Sequence, residues 1–257
     1  MDRKTSAPPQ FSEERRARIL DELHRNGRVE VPGLAHLLEV SEHTIRRDLL
    51  DLQAQGKLHK THGGAVNLDT ARLDFAARSS VQVGAKQAIG QLAASLIEPG
   101  QTVIIDAGST SLSLARALTA RPLTVITNAL DVAALFDRDP QVQLVLTGGT
   151  WQPQSRALWG PAACEMLARC RADWAVPGAC AVDLRMGTTV TDEADAATKQ
   201  AMVAAAARTL ILADHTKHGK VSPFGVAQWH QVHTLVSDSP WPELAALGVQ
   251  VRVTPAD

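Results

Sequence analysis

The sequence predicts an N-terminal winged helix-turn-helix domain followed by a larger α/β domain built on a mostly parallel sheet. Three observations carry this. Residues 41–49, Ser-Glu-His-Thr-Ile-Arg-Arg-Asp-Leu, join a helix cap to apolar residues at helical spacing and a pair of arginines. The pair Gly63-Gly64 then lies between short extended runs, which is a hairpin signal. From Lys86 onward, alanine-rich helical stretches alternate with β-branched runs, the pattern of strands crossed over by helices. A chain of 257 residues has room for two moderate domains, and its 45% hydrophobic content is enough for a core in each. No apolar run is long enough to span a bilayer, so no membrane partner is expected.

Met1 to Gln10 are polar, carry two prolines and lack the apolar centre of a signal peptide, so 1–10 reads as a disordered tail. The head domain is expected over 11–67. Its first helix runs from about Ser12 to Asn26, with Ile19, Leu20 and Leu23 inward and Gly27 as the stop. Arg28 to Val31 form a short extended piece. Pro32 suits the first position of a second helix that ends near Leu38, with Leu34, Leu37 and Leu38 inward. The third helix spans Glu42 to Gln55 and ends at Gly56 in a left-handed cap. Lys57 to Val66 then form the wing. In the third helix Ser41 is the cap and Ile45, Leu49 and Leu52 face the core. His43, Thr44, Arg46 and Arg47 are left to meet base edges or phosphates of double-stranded DNA. Ser41, Lys57, Lys60 and His62 complete the candidate DNA contacts.

Charge argues against a broad basic footprint. Residues 1–67 hold 11 Lys/Arg against 10 Asp/Glu. Between His43 and His62 the balance is better, with four Lys/Arg and three histidines against two aspartates. A symmetric oligomer, a homodimer or homotetramer, would multiply that patch, and binding should depend strongly on salt.

Residues 68–85, with Arg72, Asp74 and Arg78 among small residues, read as a linker, and 86–257 as the sensing domain. Helix is expected over Gln87 to Leu96, Leu112 to Leu118, Asp131 to Phe136 and Glu193 to Arg208. Strands are expected at Thr102 to Ile105, Leu123 to Ile126, Val142 to Leu146, near Trp174 to Val176, at Thr209 to Ala213 and near Thr234 to Ser237. In such sheets ligands bind outside the carboxyl ends of strands. Those ends read Asp106-Ala107-Gly108-Ser109-Thr110-Ser111, then Thr127-Asn128, then Thr147-Gly148-Gly149-Thr150, and late in the chain Asp214-His215-Thr216-Lys217. Lys199 lies on the preceding helix, four residues after Asp195; alone, that spacing marks a surface ion pair. Helix-start N–H groups and lysines would hold a phosphate, and carboxylates would hold hydroxyls. A small, polyhydroxylated phosphate ester fits.

Cys164, Cys170 and Cys180 form no Cys-x-x-Cys pair, which points to a reducing cytoplasm. His215 and His218, or His230 and His233, lack a partner at ligand spacing. No metal and no cofactor is expected.

Together these residues resemble the DeoR family of bacterial transcription regulators. The head pattern is Val40-Ser41, Thr44 to Leu49, Gly56-x-Leu58 and His62-Gly63-Gly64-Ala65. The C-terminal stations are Lys86, Asp106 to Thr110, Thr127-Asn128, Leu146 to Gly149, Gly160, Lys199 and Asp214-x-Thr216-Lys217. The resemblance implies a sensor similar in fold to ribose-5-phosphate isomerase. It implies a repressor of a sugar or sugar-alcohol catabolic operon, released from operator DNA by a phosphorylated sugar-type effector. Lys86, Asp106, Gly108, Ser109, Thr110, Ser111, Thr127, Asn128, Gly148, Gly149, Lys199, Asp214 and Lys217 would line its site. Departures from the family are Lys60 in place of arginine, Asp195 in place of glutamate, and the stretch Trp174 to Cys180. The alternative is an isomerase with a DNA-binding appendage. It would need a general base, for which Asp106, Asp183 and Asp214 are the candidates, but the acidic Asp-Gly-Ala-Asp-Glu cluster of the isomerases is absent. The expectation is a regulator and not an enzyme.

Overall fold

A computed structural model describes residues 9–26, 28–54, 57–61, 63–67 and 75–255. The chain divides into two compact units, residues 1–73 and 74–257. The expected stops at Gly27 and Gly56, and the wing residue His62, lie outside the described residues.

In the first unit α1 (Pro9–Asn26) begins inside the segment expected as a tail. It leads to β1 (Arg28–Glu30), α2 (Val31–Leu37) and α3 (Glu42–Ala54). Then follow β2 (Leu58–Lys60) and β3 (Gly64–Asn67). The hairpin β2–β3 takes β1 as a third antiparallel strand, in the order β1-β3-β2. Ile19, Leu23, Leu34, Ile45, Leu49, Leu52 and Leu58 form one core. Each such side chain removed from water contributes about 1.5–3 kcal/mol. Leu37, expected inward, is 48% exposed: a two-turn helix buries one stripe, here Val31 and Leu34, and Leu37 falls beside it. Gly64 is not a turn residue. It pairs with Glu30, and a Cβ there would sit 1.8 Å from the Val29 carbonyl oxygen, so the three strands close only around a glycine.

In the second unit, part of the expected linker is structured. It forms α4 (Phe75–Ser79), and Val81 is buried just before α5 (Val83–Ala94). Next come β4 (Thr102–Ile105), α6 (Ser109–Ala117), β5 (Leu123–Thr127), α7 (Leu130–Ala133) and β6 (Val142–Leu146). A hairpin of β7 (Thr150–Gln152) and β8 (Ala157–Trp159) precedes α8 (Pro161–Ala168) and β9 (Ala172–Val176). The chain continues through β10 (Ala181–Asp183), β11 (Gly187–Val190), α9 (Glu193–Ala204) and β12 (Ala206–Leu212). It closes with β13 (Phe224–Ala227), β14 (Thr234–Ser237) and β15 (Gln250–Val253).

Seven parallel strands in the order β15-β14-β12-β9-β4-β5-β6 make the sheet. Alternate residues feed opposite faces: Val103, Ile105, Val125 and Val176 pack with Ile89, Leu112 and Leu114 on one side. Ile104, Ile126 and Ala175 pack with Leu167 and Met202 on the other. The helix expected to reach Arg208 stops at Ala204, and Ala206 to Arg208 already belong to β12. Arg208 pairs across the strands with Trp174, its guanidinium 4.0 Å above the indole. The antiparallel sheet β10-β11-β13, the β7–β8 hairpin, α8 and β15 were not expected from the sequence.

Candidate functional site

Two groups of side chains stand out, one in each unit. In the first, the Ser41 hydroxyl accepts from the Thr44 amide at 3.2 Å and lies 2.9 Å from the Thr44 hydroxyl, capping α3. His43, Arg46 and Arg47, at i, i+3 and i+4, are exposed together, while Thr44 is half-buried. Arg46 bridges to Glu42 at 2.6 Å. Arg47 makes no hydrogen bond or ion pair among the described residues. Lys57 is exposed and Lys60 half-buried, and the Lys60 amide donates to Gln53 Oε1 at 2.8 Å, tying the wing to α3.

Sequence reasoning missed what fixes α3. Asp48 is buried at 2% exposure and accepts from Arg15 Nη2 at 3.0 Å and Arg16 Nε at 3.2 Å; Arg16 also bridges to Asp51. The Asp48 carboxylate holds the Arg15 pKa up through their hydrogen bond, against the effect of burial. Only the i, i+3, i+4 stripe of α3 signals this: Asp48 lies on the same face as Ile45 and Leu52.

In the second unit the expected stations share the carboxyl edge of the sheet, because β4, β5, β6, β9 and β12 run parallel and end there. Asp106, just past β4, is fully buried. Its Oδ2 accepts from the Gly178 amide at 2.7 Å and from Lys199 Nζ at 2.9 Å, while its Oδ1 is buried with no partner. Lys199 also donates to Asp195, one turn earlier in α9. Asp195 and Lys199 lie on the buried stripe of α9 and are not the surface pair their spacing allows. Burial opposes the Lys199 charge, yet Asp106 and Asp195 together raise its pKa. Asp195 is pushed up by burial, more than Lys199 can offset.

Asn128 Oδ1 accepts from the Ala107 amide at 3.0 Å, and its Nδ2 is buried without a partner, as is Thr110 Oγ1. No side chain caps α6, so the amides of Ser109, Thr110 and Ser111 open onto this edge at the positive end of the helix. Gly148 and Gly149 both have positive φ, and a Cβ on Gly149 would lie 2.6 Å from the Trp159 carbonyl oxygen. Thr127 is taken up in the scaffold: its hydroxyl donates to the Ile105 carbonyl at 2.6 Å and accepts from the Ala129 amide at 3.1 Å.

A second cluster is cationic. Lys86 sits on the buried stripe of α5 and donates to the Arg78 carbonyl at 2.5 Å. Burial, and then Lys217, lower its pKa to about 8, against the pull of Asp214. Lys217 donates to the Ala179 carbonyl at 2.8 Å, and burial lowers its pKa too. Asp214 accepts from the Thr216 amide at 3.1 Å and from its hydroxyl. Burial would raise the Asp214 pKa, but Lys217, Thr216 and Lys86 outweigh it and hold it low. Arg78 bears electrostatically on Lys86, Lys217 and Asp195; nothing in the sequence singled it out.

Of the bases an isomerase would need, Asp183 is occupied in a turn, accepting from Arg185 and Met186 amides at 2.9 and 3.0 Å. Among the described residues no group of three His, Cys, Asp or Glu could hold a metal ion, and no helix is long and apolar enough to cross a membrane. His215 pairs with Asp238 at 2.6 Å, and His218 stacks on Trp241 at 4.6 Å.

A capped helix with an arginine stripe beside a wing, joined to a parallel α/β unit with a charged strand-end site, defines a DNA-binding regulator with a sensor domain. Comparison with known families agrees. Residues 15–71 match the DeoR-like helix-turn-helix domain and residues 81–239 the DeoR C-terminal sensor domain. The chain is 34% identical over 231 residues to the HTH-type transcriptional repressor GlcR of Bacillus subtilis, covering 89% of each. It is 32% identical over 232 residues to the transcriptional regulator GolR of Listeria innocua, covering 89% of this chain and 91% of the relative. It is also 32% identical over 228 residues to the L-fucose operon activator of Haemophilus influenzae, covering 88% and 91%. This chain belongs to the DeoR family of transcriptional regulators. These relatives are regulators and not enzymes. A ribose 5-phosphate isomerase A from Methanocaldococcus jannaschii shows a distant likeness, with TM-score 0.38 and 16% identity over 52% of this chain and 53% of that one.

Proposed function

We propose that this protein represses a sugar or sugar-alcohol catabolic operon and leaves its operator when a phosphorylated sugar-type effector occupies the sheet rim. The observation that carries the reading is the pairing of two unlike chemistries on one edge. An uncapped α6 N-terminus and the lysines Lys86 and Lys217 suit a phosphate. The buried, unpartnered Asp106 Oδ1 and Asn128 Nδ2 suit a hydroxyl, which can donate to one and accept from the other. Gly108, Ser109, Thr110, Ser111, Gly148 and Gly149 would meet the ligand through backbone and hydroxyl groups; Lys199 and Asp214 would fix the charges around it. Thr127 would act through Asn128 and the strand ends.

In the head, His43, Thr44, Arg46 and Arg47 would face the major groove, with Ser41 as cap and Lys57, Lys60 and His62 on the backbone. A homodimer or homotetramer would place two such helices at half-sites a helical turn apart, or a multiple of it. Effector binding would favour a head spacing that fits the operator poorly. One relative, the L-fucose operon activator, is named for a sugar operon, which supports the effector class, and another is named a repressor. Thermal-shift screening of phosphorylated sugars and sugar alcohols against their unphosphorylated parents tests the effector class. Stabilisation by phosphorylated compounds only, lost in Asp106→Ala, is the expected result. Equal stabilisation by the parents, or turnover of ribose 5-phosphate to ribulose 5-phosphate, overturns it.

A further inference from the structure

α4 is five residues long, little more than one turn, and a helix that short has no stability of its own. Phe75 packs against the sensor core, and α4 is held by clasps at both ends. At its start the Phe75 amide donates to the Gln154 carbonyl, 2.8 Å away in the loop between β7 and β8. From the same loop Arg156, itself at φ 56°, lies 6.0 Å over the Phe75 ring and 5.8 Å over Trp151. Two of its nitrogens reach Asp131 at 2.6 and 2.7 Å. At the end of α4 the Arg78 carbonyl accepts from Lys86 Nζ at 2.5 Å.

Both clasps border the proposed effector rim. β7 begins immediately after Gly148-Gly149, and Lys86 stands among Lys217 and Asp214. In sequence, α4 is the first described element after the stretch that leads from the head unit.

We propose that α4 is the output element of the sensor: an anionic effector at the rim tightens α4 through Lys86 at one end and through the β7–β8 hairpin at the other. Arg156 is the positioning residue that ties the hairpin to α4. The proposal rests on the effector reading of the rim. Lysine has three donors, so Lys86 can meet an anion and keep the Arg78 carbonyl. An anion beside it also holds it as ammonium, and a charged donor makes the stronger bond. At the other end, a ligand held by the backbone at Gly148-Gly149 fixes the first residues of β7, and Arg156 carries that order to Phe75. The Arg156–Asp131 bridge is partly exposed, so losing it should leave the melting temperature close to the parent's.

The test is hydrogen exchange on the full chain, its Arg156→Ala and its Phe75→Ala variants, each with and without ribose 5-phosphate as probe. Three peptides are followed: 75–82, 106–112 and 214–218. Without probe, both variants should already exchange faster in 75–82, and the melting temperature of Arg156→Ala should stay within about 2 °C of the parent. With probe, the parent should slow roughly fivefold in 75–82, as one strengthened charged hydrogen bond implies. Both variants should lose most of that slowing while the rim peptides slow as in the parent. Unchanged exchange of 75–82 in the variants without probe shows that the clasp holds nothing and overturns the proposal. Rim peptides that slow in the parent with no response in 75–82 overturn it while leaving the effector reading intact. No response at the rim either overturns the effector reading for this class of ligand, and this inference with it.

Discussion

Lys199→Met removes the one cation between two buried carboxylates and keeps the length of the aliphatic stem. The Lys199 side chain is 6% exposed, Asp106 is fully buried and Asp195 is 10% exposed. Taking one partner from a buried ion pair costs about 3–5 kcal/mol, since the charge left behind is uncompensated. Here two carboxylates would face one another, which places the loss at the upper end. For a unit of this size 1 kcal/mol moves the melting midpoint by about 2–4 °C, so a fall of roughly 10–20 °C is expected. The sign of the pH effect follows from Asp195, whose pKa burial already raises in the folded state. Without the ammonium it rises further. A raised folded pKa contributes stability at low pH and loses it as pH climbs through that value. The deficit of the variant should therefore be largest near pH 8 and shrink toward pH 5. Calorimetric melts of the full chain at both pH values measure it. A variant that melts within about 2 °C of the parent near pH 8 refutes the argument, as does a deficit that grows on acidification.

In the head unit, Asp48→Asn should lower stability by about 3 kcal/mol, because Arg15 and Arg16 lose a buried counter-charge; a denaturation midpoint equal to the parent's would contradict it. Arg47→Ala should weaken binding to operator DNA selected from a random pool at least as much as Arg46→Ala, since Arg46 must first leave Glu42. Either loss should flatten the salt dependence by about one unit if the contact is to phosphate, or cost about 1–3 kcal/mol at one base pair if it is to a base. Unchanged affinity in both variants would remove α3 as the reading element. Effector affinity, followed by calorimetry, should fall as pH rises through about 8, where the Lys86 ammonium is lost; a flat profile there would mean that Lys86 does not meet the anion.

The parts of the fold that were legible are those where one periodicity dominates. Ile45, Leu49 and Leu52, and the β-branched cores of β4 and β5, are buried on both counts of pattern and composition. What escaped is short or edge structure. β7, β8, β10, β11 and β13 are three or four residues each, too few for alternation to register, and β15 shows only one half-buried residue. The sequence carries α9 on to Arg208 because Ala204 to Arg208 are good helix formers; the pairing of β12 with β9 overrides that preference.

The site was legible where the parallel order of strands alone gathers residues, as at Asp106, Asn128 and Gly148. It was not legible where a side chain's role depends on a neighbour far away in sequence. Asp195 and Lys199 read as a surface pair until Asp106 closes on them, and Gly178 offers only an amide.

Long-range pairing also accounts for the near-neutral charge of the head. A count of charges treats every ionised side chain as if it faced solvent. Asp48 and Asp51 are the two acids counted against the basic stretch from His43 to His62, and both are engaged by Arg15 and Arg16 from α1. Asp48 is buried and Asp51 is paired with a guanidinium, so each contributes less field at the outer face of α3 than a free carboxylate would. Arg15 and Arg16, which a sequence count would assign to DNA, are instead the counter-ions that let Asp48 lie under the helix. Arg47 and Lys57 thus face outward, and Lys60 is half-buried, with no free acid of their own stretch to offset them. The stretch is more positive toward DNA than its composition says, and the cost of that arrangement is a head whose stability depends on one buried aspartate.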